Sequence, residues 1–322
     1  MKKLLIIFLI CALLFVLFSA AIDYIGVGGN NVTINIPQGS GAFEIAKILR
    51  DKKVISFSSL FLKYIGDDAE HLKAGVHKFT THMGYQRTLE ELKKDVPLEN
   101  SLTITIPEGY ELREICDLLE NAGLVNEEAF TYACKSAYKN HSFLHEDGNV
   151  EGFLFPATYT FQIGVSAEEI VSEMLNTFSE KMMTAENVRR AGELGMTFDE
   201  ALTLASIIER EAAKNDERST ISSVFHNRIA KNMHLESCAT VQYVLKERKP
   251  ILQISDTKIN SPYNTYMYPG LPPAPIASPG EASMRAALYP SETEYLFFVS
   301  DGHGGHIFSK TYADHLSVVN NG

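Results

Sequence analysis

The chain has 322 residues, 45% of them hydrophobic and 21% charged, with a formal net charge of −11. Those are globular values, and the length allows two or three domains, each with its own core. The acidic balance argues against nucleic acid as a partner, because phosphates demand clustered Lys and Arg.

After Met-Lys-Lys, nineteen residues without a charge run from Leu4 to Ile22. At about 1.5 Å per residue that length just spans a bilayer core. An N-terminal transmembrane helix is therefore expected within an anchor at residues 1–25. Lys2 and Lys3 would hold the N-terminus in the cytoplasm and leave the body of the chain extracytoplasmic at the cell membrane. Ser19, Ala20 and Ala21 keep a cleaved signal peptide open as the alternative.

A glycine- and asparagine-rich spacer, 26–31, leads into an internal repeat. "VTINIPQGSGAFEIAKILRDKKVI" from Val32 and "LTITIPEGYELREICDLLENAGLV" from Leu102 align without a gap at an offset of 70. Each copy predicts an alternating strand, a Pro-x-Gly turn and an amphipathic helix. The stretch "LKAGVHKFTTHMGYQRTLEELKKD" between them predicts another short strand and helix. Residues 32–145 are thus expected to form one α+β module with repeat halves starting near 32 and 102.

A polar tract, "KNHSFLHEDGN", precedes a second, mainly helical α+β domain expected at 146–322. Helices are predicted at about 167–183 and 186–193, around Glu211, and in "ERSTISSVFHNRIAKN", where Ile221, Val224, Phe225 and Ile229 share a stripe. "NSPYNTYMYPGLPPAPIASPGEASMRAAL" reads as a long loop, and "EYLFFVSDGHGGHIFSKTY" as a hairpin.

The residues that attract chemistry begin with "ALTLASIIEREAA", 201–213. At about 100° per residue, Leu204, Ile207 and Ile208 form one apolar stripe. Glu209 falls opposite it, toward water, whereas Glu211 falls on its centre line. A carboxyl group so placed loses hydration, which penalises its charged form and suits a general acid at a glycosidic oxygen. Burial against a backbone donor is the structural alternative. Glu151, before the aromatic turn "GFLFP", is a candidate for a cleft wall or for a capping role. Tyr263 and Tyr266 flank Asn264 in a Pro-bounded loop, a combination of rings and amide suited to a glycan groove or to plain loop packing.

His303 and His306 lack an obvious third ligand, so no metal is expected. Cys11 lies in the apolar run, and Cys116, Cys134 and Cys238 contain no C-x-x-C pair. Buried free thiols are expected, with a Cys116–Cys134 disulfide left open.

Taken together, "EGFLFPATYTF", "LASIIEREAA", "SVFHNRI", "SPYNTYMYPGLPPAPIASPG" and "FFVSDGHGGHIFSKTYADH" resemble, in order and spacing, the YceG-like family of endolytic murein transglycosylases. The resemblance implies a membrane anchor, a LysM-like α+β region and a catalytic domain that cleaves the glycan strands of peptidoglycan. The family's essential glutamate carries over to Glu211, with Glu151, Asn227, Tyr263, Asn264 and Tyr266 as substrate-binding candidates. No cofactor is implied, and the partners implied are glycan strands, the cell membrane and penicillin-binding proteins. Two departures stand out: Cys238 and Ala239 replace an Asp-Pro pair of many relatives, and Ala157 replaces an Asp. One prominent glutamate fits a lytic transglycosylase better than a hydrolase, which usually employs two carboxyl groups. A muramidase and a non-catalytic peptidoglycan-binding scaffold are the alternatives.

Overall fold

The computed structural model describes residues 19–37, 39–94, 101–249 and 251–321. Most of the expected transmembrane helix, Leu4 to Phe18, lies outside the described residues. Residues 19–25 are helical, and no helix among the described residues is long and apolar enough to cross a membrane. The chain has the α+β composition expected and divides into two compact units, Met1–Ser101 and Leu102–Gly322.

In the first unit, β1 (Asn31–Ile36) pairs antiparallel with β2 (Gly75–Thr80), from Asn31 opposite Thr80 to Ile36 opposite Gly75. Helices α1 (Ala42–Asp51), α2 (Ser58–Ile65) and α3 (Tyr85–Leu92) accompany them. Strand alternation turns Ile34, Ile36 and Phe79 inward to a core shared with Leu49, Phe61 and Leu92. Asp23, fully buried, accepts hydrogen bonds from the Ser56 amide (2.6 Å) and hydroxyl (2.9 Å), the Phe57 amide (3.2 Å) and the Tyr85 hydroxyl (3.3 Å). Those donors replace the water lost on burial and tie the helical turn at 19–25 to the unit.

The stretch read as a spacer is tied to the unit by main-chain hydrogen bonds. Val27 and Gly28 donate to the His82 carbonyl, and Thr81 donates to that of Asn30. Gly26 has φ +76°, and a Cβ there would lie 2.3 Å from the Met83 carbonyl oxygen, so only glycine fits.

The second unit opens with β3 (Ser101–Thr105), α4 (Leu112–Asn121) and α5 (Glu127–Ser136). The strand, turn and helix of the second repeat half form as expected. Its strand, however, pairs with β4 (Thr158–Gln162): the Thr103 and Thr160 hydroxyls meet at 3.0 Å and those of Thr105 and Thr158 at 2.8 Å. Ile106, Ile115 and Leu119 join the same core as the helices that follow. The compact units therefore divide between the repeat halves.

Next come α6 (Ala167–Lys181), α7 (Ala185–Glu193), α8 (Phe198–Glu211), α9 (Arg218–Ala230) and α10 (Cys238–Leu245). Helix α8 starts at a capping box, in which Thr197 and Glu200 bond each other's backbone amides, and every residue from Ala201 to Ile208 is buried. The segment read as one long loop contains α11 (Glu281–Leu288), which packs along α8. The predicted hairpin forms as β5 (Phe297–Ser300) against β6 (His306–Ser309), and α12 (Tyr312–Asn321) follows it. The Nδ1 of His306 sits 3.0 Å from Glu217, and no cluster of metal-ligating side chains occurs among the described residues.

Candidate active site

Glu211 is the last residue of α8, half-buried at its C-terminal end. The preceding turn is braced by the second repeat half: the Arg210 guanidinium donates to the Gly109 carbonyl at 2.9 Å. Gly109 N–H in turn donates to the Ser278 carbonyl, and Ser278 N–H to that of Tyr110, both at 2.8 Å. The turn that supports Arg210 is thus itself fixed by the main chain around Ser278.

Its carboxylate faces the start of α10. The Ser237 hydroxyl and the Ala239 amide, the latter at 3.4 Å, both donate to Oε1. Open amides and the helix dipole at that terminus favour an acidic neighbour. Oε2 takes no hydrogen bond among the described residues. Beside it, the Tyr266 hydroxyl lies 3.2 Å from the Cys238 thiol. Burial, reinforced by the thiol contact and the Glu211 charge, pushes the Tyr266 phenol above its ordinary value. Tyr266 thus reaches the candidate site. Cys238, expected to be buried, is exposed, while Cys116 and Cys134 are buried free thiols.

Glu209 corrects the sequence reading. It does not point to water: its side chain is 6% exposed and forms a 2.8 Å ion pair with Arg218, itself 9% exposed. Its second oxygen accepts the Gly280 amide at 3.0 Å. The helical-stripe argument assumes a surface helix with one wet side, whereas α8 is surrounded, so a charge opposite the stripe has to be paired.

Two other candidates are engaged within the fold. Asn264 is fully buried; its amide donates to the carbonyls of Thr257 (3.0 Å) and Ile259 (2.8 Å) and accepts from the Tyr266 amide (3.0 Å). Asn227 donates to the carbonyls of Thr293 and Tyr295, both at 2.9 Å, and so fixes the approach to β5.

Glu151 and Tyr263 lie elsewhere, on a cleft of about 650 Å³ that Tyr243 and Arg113 also line and whose lining does not include Glu211. Glu151 is 5% exposed and accepts from the Leu112 amide (2.9 Å) and the Tyr243 hydroxyl (3.3 Å), one donor on each oxygen. Burial outweighs those bonds and lifts its carboxyl from 4.5 to about 8. The folded state thus holds a proton that the unfolded chain releases. This contribution to stability is complete below about 4.5 and is lost as pH rises through about 8. Glu151→Gln is expected to flatten the decline of melting temperature across that window, as followed by thermal unfolding at stepped pH. An unchanged slope would remove Glu151 as its origin.

Sequence reasoning missed Ser237 and Tyr243. Ser237, before the apolar run of α10, carries the signature of a helix N-cap and was findable; Tyr243 had no such signal.

A sequence profile of the YceG-like family matches residues 34–321. The endolytic murein transglycosylase of Bacillus subtilis (strain 168) is 32% identical over 303 residues, which cover 88% of this chain and 82% of that protein. The protein of the same name from Streptococcus pneumoniae (strain D39) is 30% identical over 307 residues, 86% of this chain and 55% of its own length. This chain therefore matches only about half of the pneumococcal protein. A crystal structure of a yceG-like protein from Listeria monocytogenes aligns with TM-score 0.60 and 35% identity, covering 90% of this chain and 99% of that one.

Proposed function

The chain belongs to the YceG-like family, and from that membership we propose that it is an endolytic murein transglycosylase with Glu211 as its catalytic residue. It cleaves the β-1,4 bond between N-acetylmuramic acid and N-acetylglucosamine in peptidoglycan strands without using water. Glu211 protonates the bridging oxygen as the bond to the muramoyl C1 breaks. The carboxylate left behind then takes the proton of the muramoyl C6 hydroxyl, whose oxygen closes onto C1 as a 1,6-anhydro ring. One group acts as acid and then as base, so proton and bond counts balance without a cofactor.

The observation that carries this reading is the one-sided hold on Glu211. Ser237 and the α10 N-terminus anchor Oε1 and leave Oε2 for the travelling proton. Glu151 is the rival acid, since burial lifts it toward neutrality. Both of its oxygens already accept a donor and the residue is almost wholly buried, so it offers no oxygen to a sugar.

The same proposal puts the chain at the cell membrane, held by the apolar run from Leu4 to Ile22, with the remainder extracytoplasmic and the repeat halves as a LysM-like module. Work beside penicillin-binding proteins belongs to it as well.

Digesting purified murein and weighing the products tests the activity. Anhydro-muramoyl ends are expected. Reducing ends would mark a muramidase instead, and intact strands a scaffold.

A further inference from the structure

The cleft beneath Glu151 is unused by this mechanism. Its volume, about 650 Å³, falls within the ~300–1,000 Å³ typical of small-ligand sites. Helix α10 connects it to Glu211: the helix begins at the carboxylate and its last turn lines the cleft through Tyr243. Eight residues at about 1.5 Å each make that helix about 12 Å long. A strand gripped at the cleft would therefore be gripped a short way from the point of cutting.

The chemistry of the cleft is specific. Phe130, Cys116 and Cys134, all buried, contribute apolar lining. The Tyr243 and Tyr263 rings meet at 5.0 Å and 45°, so they lean on each other and do not form one flat shelf for a sugar. The rim carries both signs, with Glu127 and Asp147 against Lys135 and Lys246. All four are exposed, and none forms a side-chain ion pair among the described residues. Uncharged sugar rings make no use of such a rim. A short peptide with free carboxylates and an amine complements it, and murein strands bear such peptides on their muramoyl lactyl groups.

We propose that this cleft binds the stem peptide of the strand, apart from the carboxylate that cuts it; the ligand, though not the site, rests on the murein reading above. Binding there selects peptide-bearing strands and places them along α10.

The test titrates a tetrapeptide, released from murein by an amidase, into the full chain carrying Glu211→Gln, with calorimetric readout. Saturable one-site binding is expected, weakened at least tenfold by the exposed rim change Lys135→Glu. In the chain with Glu211 intact, Lys135→Glu should lower the ratio of cleavage rates on peptide-bearing and peptide-stripped strands at least fivefold. Strand cleavage by the unmutated protein without tetrapeptide binding, or binding indifferent to Lys135→Glu, overturns the site and leaves the enzyme reading standing. Binding that Lys135→Glu weakens, without any strand cleavage, supports the site and overturns the enzyme reading.

Discussion

Glu211→Gln is expected to lower the release of anhydro-muropeptides by about 10³-fold, in keeping with the ~10²–10⁴ contributed by a positioned general acid. The size follows from the double duty of this side chain: glutamine can neither give the proton that frees the leaving sugar nor recover one from the C6 hydroxyl. The amide keeps the shape of the acid, and its oxygen still accepts from Ser237 and Ala239. Melting temperature should therefore stay within a few degrees of the parent. Product analysis by mass spectrometry, paired with thermal unfolding, separates lost chemistry from lost fold. Undiminished anhydro product from a folded variant would move the proton elsewhere, with Glu151 the next residue to examine.

The neighbouring acid should behave in the opposite way. Arg218→Met is expected to destabilise the second unit by roughly 3–5 kcal/mol, because removing one partner of a buried ion pair strands the other charge. Arg218 holds Glu209 at 2.8 Å, donates to the Ser283 hydroxyl at 2.9 Å and also bonds the Asn215 side chain, so the damage reaches both α9 and α11. At about 2–4 °C per kcal/mol for a unit of this size, the melting point should drop by roughly 10 °C. Adding Glu209→Gln removes the stranded charge and should restore part of the loss. A drop below about 1 kcal/mol in denaturant unfolding would place the pair among the weak, water-screened ones. Two glutamates separated by one residue are thus expected to fail differently, one in turnover and the other in stability.

Local pattern explains which parts of this architecture were readable in advance. The strand–turn–helix units at 32 and 102 emerged from period-two and period-3.6 hydrophobicity, and the helices around Glu211 and Phe225 from apolar stripes. What escaped is non-local. Nothing in "LTITIP" announces that β3 pairs with β4 some fifty residues on and not with its own repeat partner, because strand partners are chosen by the assembled core. Helix α11 was obscured by the proline-rich stretch before it and by its eight-residue length. Glu211 was singled out by its place on an apolar stripe, yet its surroundings are a serine hydroxyl and the opening amides of α10, which no periodicity reveals. Asn264 illustrates the converse. An amide between tyrosines invites a ligand, but its side chain is consumed by the turn that it closes.

The brace between the second repeat half and α8 bears on how such a chain can be recombined. A joint at residue 145 would sever β3 from β4 and remove the Gly109 carbonyl that anchors Arg210, leaving α8 without one of its supports. A joint near residue 101 breaks neither. The second copy of the duplication is accordingly part of the frame that holds α8 and the segment around Ser278, and belongs on the same side of any joint as they do.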